Sequence, residues 1–386
     1  MSQSHFTRRR ALATGGAAAG VALVPGLAGA TSTTLGGTGA GMSDLTGGKD
    51  PAFEYFITEK QTEPGMQEGF NWWLWDDQGR FGFPRCAVEA FAPDWDRPHI
   101  ELGFVTPEGE VMRQNTPFPR HKEVGPDGKA SHFGTGGLWF DVIEPFGHYK
   151  SGFSGAVPTG SWEEMLVPNW STEKLAPLRF EIEAWPVVPP WIQGTMSAEA
   201  RERMAKGGEA LAMGGERLEQ LCRVKGVINW EGKDVEFTGG ALRIRRKGVR
   251  KLQEFFGHCW QSAVFPSGKA FGYIAYPGYK SGAEYDYNEG FVYLGEGGLI
   301  PARAIKSPWL KDFRYSGEDV SCVMETEDGR QFAFGGRTTG GVPSIPPSDS
   351  QFPPLHQMIA QYSFEGETAY GMIERSTMRD KMKMPG

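Results

Sequence analysis

Turns constrain this chain more than any other feature. From Phe53 onward, short segments are separated by glycine turns: Asp76-Asp77-Gln78-Gly79, Pro107-Glu108-Gly109, Gly125-Pro126-Asp127-Gly128, Glu231-Gly232, Pro266-Ser267-Gly268 and Asp328-Gly329. Turns at this density leave room for strands and little else, so they predict antiparallel meanders. Glycine supplies 54 of 386 residues, and bulky side chains are also plentiful, with 12 Trp and 25 Phe. Many turns with large apolar residues between them imply all-β domains with bulky interiors.

The strand pattern stops between Pro186 and Pro190. Ser197 to Leu221 then reads as helical, with Ser197 as N-cap and Glu202/Lys206 as an i, i+4 pair. Gly207-Gly208 and Gly214-Gly215 interrupt it, which allows two short helices. A junction there divides the chain into a β domain over 51–195, a helical linker over 196–222 and a second β domain over 223–386. The halves share a faint likeness: Glu101-Leu102-Gly103-Phe104-Val105 precedes a Pro-Glu-Gly turn, and Val323-Met324-Glu325-Thr326 precedes Asp-Gly.

The N-terminus reads as a twin-arginine signal peptide over residues 1–30. Thr7-Arg8-Arg9-Arg10-Ala11-Leu12 is close to the twin-arginine pattern, a modestly apolar stretch runs from Ala11 to Leu27, and Ala28-Gly29-Ala30 is an A-x-A cleavage site. The expected partner is the twin-arginine export machinery, and the expected location is periplasmic or secreted. Residues 31–50, rich in Ser, Thr and Gly, read as a flexible tether. No later stretch approaches the ~20 apolar residues of a membrane helix, so no transmembrane segment is expected in the mature chain. Removing residues 1–30 takes away three arginines and no acid, moving the net charge from −7 to −10. Such a chain is a poor partner for nucleic acid, whose phosphates would repel it. Cys86, Cys222, Cys259 and Cys322 are widely spaced and form no C-x-x-C, so an oxidising compartment would permit disulfides without the spacing predicting any.

Chemistry concentrates in residues 223–293. A hairpin runs from Val224 to Ile228, through Glu231-Gly232, and back over Val235 to Phe237. The basic run Arg243-Ile244-Arg245-Arg246-Lys247-Gly248-Val249-Arg250-Lys251 follows. On a strand, Arg243, Arg245 and Lys247 share one face and Arg246 takes the other. A charged outer face, internal pairs with acids, or an arginine placing a pocket carboxylate would each account for the run. In Gly257-His258-Cys259-Trp260-Gln261-Ser262, an extended backbone puts His258, Trp260 and Ser262 on one face. Acid/base work beside an indole on a barrel's inner wall is one reading of His258; a satisfied core histidine is the other. Glu284-Tyr285-Asp286-Tyr287-Asn288-Glu289 offers carboxylates and phenols that suit proton donation, or else a polar loop before a strand. Asn71-Trp72-Trp73-Leu74-Trp75 suits core packing or the lining of a lipid-like pocket. The other histidines of the mature chain (His99, His121, His132, His148 and His356) show no ligand spacing, so no metal is expected.

With these segments in view, the sequence resembles the lipocalin-like hydroxyneurosporene synthase group, which includes carotenoid 1,2-hydratases and kievitone hydratase-like proteins. The resemblance rests on Gly239-x-x-x-Arg243, Gly248 and Arg250, Gly257-His258-x-Trp260, the Phe265 and Gly268 turn, Glu289-Gly290-Phe291-Val292, and Tyr370-Gly371-x-x-Glu374. It spans most of residues 50–386 and implies two consecutive lipocalin-like antiparallel β-barrels. It also implies hydration of a C=C bond, or a related isomerisation or cyclisation, in a hydrophobic terpenoid- or polyketide-like small molecule, without a cofactor. The resulting expectation is a hydro-lyase or isomerase in which Asp286, or else Glu289, protonates the alkene and His258 activates water. Trp260, Tyr285 and Tyr287 would hold the carbocation, and Arg243 and Arg250 would bind substrate. The alternative is a non-catalytic carrier of hydrophobic ligands. One departure stands out: many relatives carry R-D-x-S-W-G-x-R, whereas here Ile244 replaces the acid and Lys247 the tryptophan. Another acid, or another reaction, is implied.

Overall fold

The computed structural model describes residues 43–385 apart from 93, 126, 169, 172, 206–215, 251–254 and 280. The expected twin-arginine signal and the first part of the expected tether lie outside the described residues. The rest belongs to one compact unit, almost entirely β-sheet, in two antiparallel barrels.

The first barrel is a meander of eight strands: β1 (Met66–Asp76), β2 (Gly82–Phe91), β3 (His99–Val105), β4 (Glu110–Pro117), β7 (His148–Ser161), β8 (Leu175–Pro186), β10 (Glu216–Asn229) and β11 (Val235–Val249). Each pairs with the next, and β11 returns to pair with β1 along the whole strand, from Met66↔Val249 to Asp76↔Gly239. The short β4–β7 ladder, Glu110↔Ser161 to Met112↔Thr159, completes the ring. The hairpin β5 (His132–Thr135) and β6 (Leu138–Glu144) extends the sheet beyond β7, and β9 (Trp191–Ile192) pairs with β10. The second barrel runs through β12 (Gly257–Val264), β13 (Lys269–Pro277), β14 (Tyr285–Leu294), β15 (Ile300–Lys306), β16 (Cys322–Thr326), β17 (Gln331–Ser344), β18 (Leu355–Phe364) and β19 (Glu367–Thr377), closed by β12–β19. Closure leaves the second barrel with no open edge, while the first closes only through Glu110–Met112 of β4.

Three expectations change. The first barrel takes in residues 216–249, so the boundary between the β bodies falls after Val249 rather than at 223. Among the described residues of the expected helical linker, only Ala198–Ala205 is helical (α1). Ser197 Oγ does cap it, accepting from Ala200 N–H at 2.9 Å, while Lys206 lies outside the described residues. Glu216 to Leu221 is strand because β11 offers a full ladder to pair with, and tertiary pairing overrides the helix preference of Glu, Arg, Leu and Gln. Residues 43–50, expected as tether, are fastened to the body: Ser43 hydrogen-bonds Tyr293 at 2.7 Å and Gln220 donates to Leu45 C=O at 2.9 Å. The faint internal likeness joins non-equivalent strands, the third of one barrel and the fifth of the other. All four cysteines are buried and unpaired. No helix among the described residues is long and apolar enough to cross a membrane.

Alternation along the strands creates three cores. Inward residues of the first barrel (Phe70, Trp72, Leu74, Phe83, Phe104, Phe140, Phe180) fill its interior. Cys259, Phe271, Tyr273, Phe334 and Tyr362 fill the second. The third core lies between the barrels, where Trp73, Trp75, Leu242 and Ile244 meet Trp260, Ile274, Phe291, Ile359 and Met372. Gly82 belongs to this seam: a Cβ there would collide with the Ile359 side chain.

Candidate active site

A cavity of about 450 Å³ opens at one end of that seam, lined by β1–β4, β10 and β11 on one side and β12, β18 and β19 on the other. His258 and Trp260 do share a face, but it is the outer face of the second barrel. Cys259 and Gln261 are the inward pair, with Gln261 donating to Tyr273 Oη at 2.8 Å. The inner-wall expectation is therefore corrected: the cavity is between the barrels, not within one.

Register builds one wall. On β12 and β19, His258 stands opposite Ser376 and Trp260 opposite Glu374; on β18 and β19, Gln357 stands opposite Glu374. Glu374 Oε1 accepts from His258 Nε2 at 2.9 Å and Oε2 from Gln357 Nε2 at 2.7 Å. Ser376 Oγ lies 2.7 Å from His258 Nδ1 and accepts from His258 main-chain N–H at 3.1 Å. Because the main chain donates into Oγ, the hydroxyl proton is free to point at Nδ1, leaving Nε2–H for Glu374. Burial raises the Glu374 pKa, but the hydrogen bond and charge of His258, then Arg85 and Gln357, outweigh it and bring it down to about 2. Glu374 is thus an ionised carboxylate in a nearly dry wall.

The facing wall comes from the first barrel. Arg85 sits at a bulge in β2, where the β2–β3 register shifts between Gly82 and Cys86, with φ 92°. Positive φ is costly for arginine and directs its side chain into the cleft. There it contacts Glu101 and donates to Glu89 Oε1 at 3.2 Å. Neighbouring Gly69 makes room: a Cβ there would fall 2.8 Å from the Glu89 carboxyl carbon. Trp260 donates to Glu219 Oε2 at 3.0 Å, and the Arg217 guanidinium lies 4.4 Å from its ring centroid. Ile244, Phe91, Phe255, Phe352 and Leu355 supply the apolar surface. Among the described residues no three His, Cys, Asp or Glu side chains converge as a metal would need.

Of the residues given catalytic or substrate-binding roles from the sequence, His258, Trp260 and Arg250 line this cavity, whereas Arg243, Tyr285, Asp286, Tyr287 and Glu289 do not. Arg243 points into the first barrel, where it donates to Gln220 Oε1 at 2.7 Å and pairs with Glu54. Glu289 clamps the segment before α1, accepting from Gly194 and Met196 N–H at 2.7 Å each and from Tyr287 Oη; burial raises its pKa. Tyr285 packs beside Trp309, and Asp286 accepts from Ser281 N–H at 3.3 Å in a turn. Sequence reasoning passed over Glu374, Ser376, Arg85, Glu89, Arg217 and Arg246 as site residues. Glu374 was within reach, since it closes the Tyr370-Gly371-x-x-Glu374 motif. Arg85 carries no local signal, because its placement depends on the bulge.

The model of a domain of unknown function, DUF7064, matches residues 58–379. No curated protein matches the sequence. Among solved structures, an AttH-like protein from Nitrosomonas europaea is similar, with TM-score 0.51 and 14% identity over 81% of this chain and 92% of that one. CghA in complex with Sch210972 has TM-score 0.45 and 12% identity over 88% and 98% of the two chains. Kievitone hydratase from Nectria haematococca has TM-score 0.44 and 8% identity over 88% and 96%. The first of these likenesses establishes a shared two-barrel, lipocalin-like fold.

Proposed function

The chain belongs to the DUF7064 family, and we propose that it is an exported enzyme that moves a proton at a C=C bond of a small apolar molecule, adding or removing water or shifting the bond. The observation that carries this reading is the buried row Ser376, His258, Glu374 on the wall of a cavity that sets aromatic and aliphatic side chains beside charged ones. A histidine braced by an ionised carboxylate can carry a proton, and its other nitrogen meets a hydroxyl that faces the cavity. In hydration, the doubly protonated form of His258, with the Ser376 hydroxyl turned toward the cavity, hands its Nδ1 proton to Ser376 Oγ as the hydroxyl proton passes to one alkene carbon. Water then bonds to the other carbon and returns a proton to His258, so the substrate gains one H2O and the enzyme is unchanged. Arg217 already covers the Trp260 ring, so stabilisation of the electron-poor carbon falls to the carboxylates of Glu374 and Glu89. Ile244, at the place of the relatives' acid, lines the same cavity; here the carboxylates come from β2 and β19 instead.

The order serine, histidine, carboxylate also matches a hydrolytic triad. The His258 N–H bond to Ser376 Oγ ties that hydroxyl to the backbone, which favours a relay over a nucleophile. Three measurements separate the readings. Metabolite profiling of the exported fraction of a deletion strain names the accumulated compound. Incubating it with purified protein in D2O should return product with one carbon-bound deuterium per turnover, whereas a carrier returns the compound unchanged. A fluorophosphonate should leave Ser376 unlabelled; stoichiometric labelling would favour hydrolysis. For export, the Thr7–Leu12 pattern is the support, and Arg8→Lys with Arg9→Lys should retain the protein in the cytoplasm.

A further inference from the structure

The cavity holds more cation than its own acids satisfy. Arg217 and Arg246 stand directly opposite each other on the β10–β11 ladder, and both are buried, at 2% and 6% exposure. Like charges so placed repel, and burial removes the water that would screen them. Arg217 pairs with Glu219 Oε1 at 2.8 Å, leaving its Nε and Nη1 without partners. Arg246 forms no ion pair among the described residues, and its Nη1 is buried without a partner. The acid nearest to it in the ladder, Glu89 beside Gly69, is engaged by Gln67 and Arg85. Arg250 lines the same corner and donates to Gln67 Oε1 at 3.3 Å. Burial, with Arg250 and Arg217 beside it, pushes the Arg246 pKa well below its ordinary value. Such a cluster is costly unless an anion completes it.

We propose that Arg217, Arg246 and Arg250 form the binding site for a carboxylate on the ligand, whose apolar body lies along Ile244, Phe255 and Trp260. The assignment deepens the reading of the cleft as the substrate site and rests on it. Charge decides between anions. Among the described residues, the cavity lining carries five arginines (Arg85, Arg113, Arg217, Arg246, Arg250) against Glu89, Glu101 and Glu374, and Glu219 offsets Arg217 from behind. Arg246, which has no ion pair among the described residues, asks for a single negative charge, and that matches a monoanion better than a phosphate dianion. The unpartnered N–H groups of Arg217 (Nε and Nη1) and of Arg246 (Nη1) offer the oxygens of a carboxylate donors from two guanidiniums.

Equilibrium binding tests this without turnover, using decanoate and methyl decanoate as matched probes in calorimetric titrations of the full chain. Decanoate should bind at least about tenfold more tightly than the ester. Arg246→Met should erase that preference while leaving ester affinity unchanged. Far-UV circular dichroism and the melting temperature report whether the variant is folded; removing an unpaired buried charge should leave the melting temperature equal or higher. His258→Ala should keep the acid-over-ester preference even as it abolishes proton transfer, which separates failure of the catalytic reading from failure of this one. Equal affinity for acid and ester, no binding of decanoate, or a preference surviving in Arg246→Met would overturn the proposal.

Discussion

The barrel interiors and the cleft between them treat buried arginine in opposite ways. Inside the first barrel, Arg243 meets Glu54 and Arg245 meets Glu68 Oε1 at 2.7 Å; inside the second, Arg375 meets Glu318 Oε1 at 2.8 Å. In the cleft, Arg246 meets no carboxylate among the described residues and Arg217 leaves two nitrogens unmet. Strand β11 carries both kinds, and the only difference is parity: Arg243 and Arg245 point in, Arg246 points out. Paired arginines bind the N-terminal segment and the barrel walls together. Arg246 has no such partner among the described residues, and Glu219 satisfies Arg217 only in part. Internal pairing was one of the sequence-level accounts of the basic run, and it holds for two of its members.

The largest break comes from the interior. Arg243→Ala strands Glu54 at 0% exposure and should cost about 3–5 kcal/mol in urea unfolding, the range for removing one partner of a buried pair. Next is Glu374→Gln. A carboxylate held at about 2 rather than 4.5 binds fewer protons folded than unfolded between those values. Its contribution is therefore present above pH 4.5 and lost as pH falls toward 2. The variant should flatten that acid limb by about 3 kcal/mol, measured as stability against pH. Gly82→Ala should cost about 1–3 kcal/mol by overpacking against Ile359, seen as a lower melting temperature with both barrels retained. Smallest in stability is Arg246→Met, near zero or stabilising. If it destabilised as much as Arg243→Ala, the contrast between interior and cleft would be false.

How much of this could be read from residues follows the same division. Glycine turns gave strands and class correctly, because a turn is a local event. The boundary was misplaced because Glu216-Arg217-Leu218-Glu219-Gln220-Leu221 carries helix formers that a long-range ladder holds extended. Period-2 alternation correctly put His258 with Trp260 and Arg246 apart from Arg243. It could not say which face was interior, since β12 is buried on both sides along its length and neither face carries the polarity of a solvated surface. Asp286 and Glu289 drew attention as acids before an apolar strand, yet one serves a turn and the other clamps a loop. Residues brought from far along the chain, such as Glu89 and Glu374, meet only after two barrels have closed and docked.

The most direct test compares turnover of two variants on the compound that accumulates without the protein: His258→Gln in the cleft and Asp286→Asn at the start of β14 outside it. A proton relay at Ser376, His258 and Glu374 predicts that His258→Gln loses about 10²–10⁴-fold in kcat while Asp286→Asn keeps the wild-type rate. Full activity in His258→Gln, with loss in Asp286→Asn, would contradict it and move the chemistry out of the cleft.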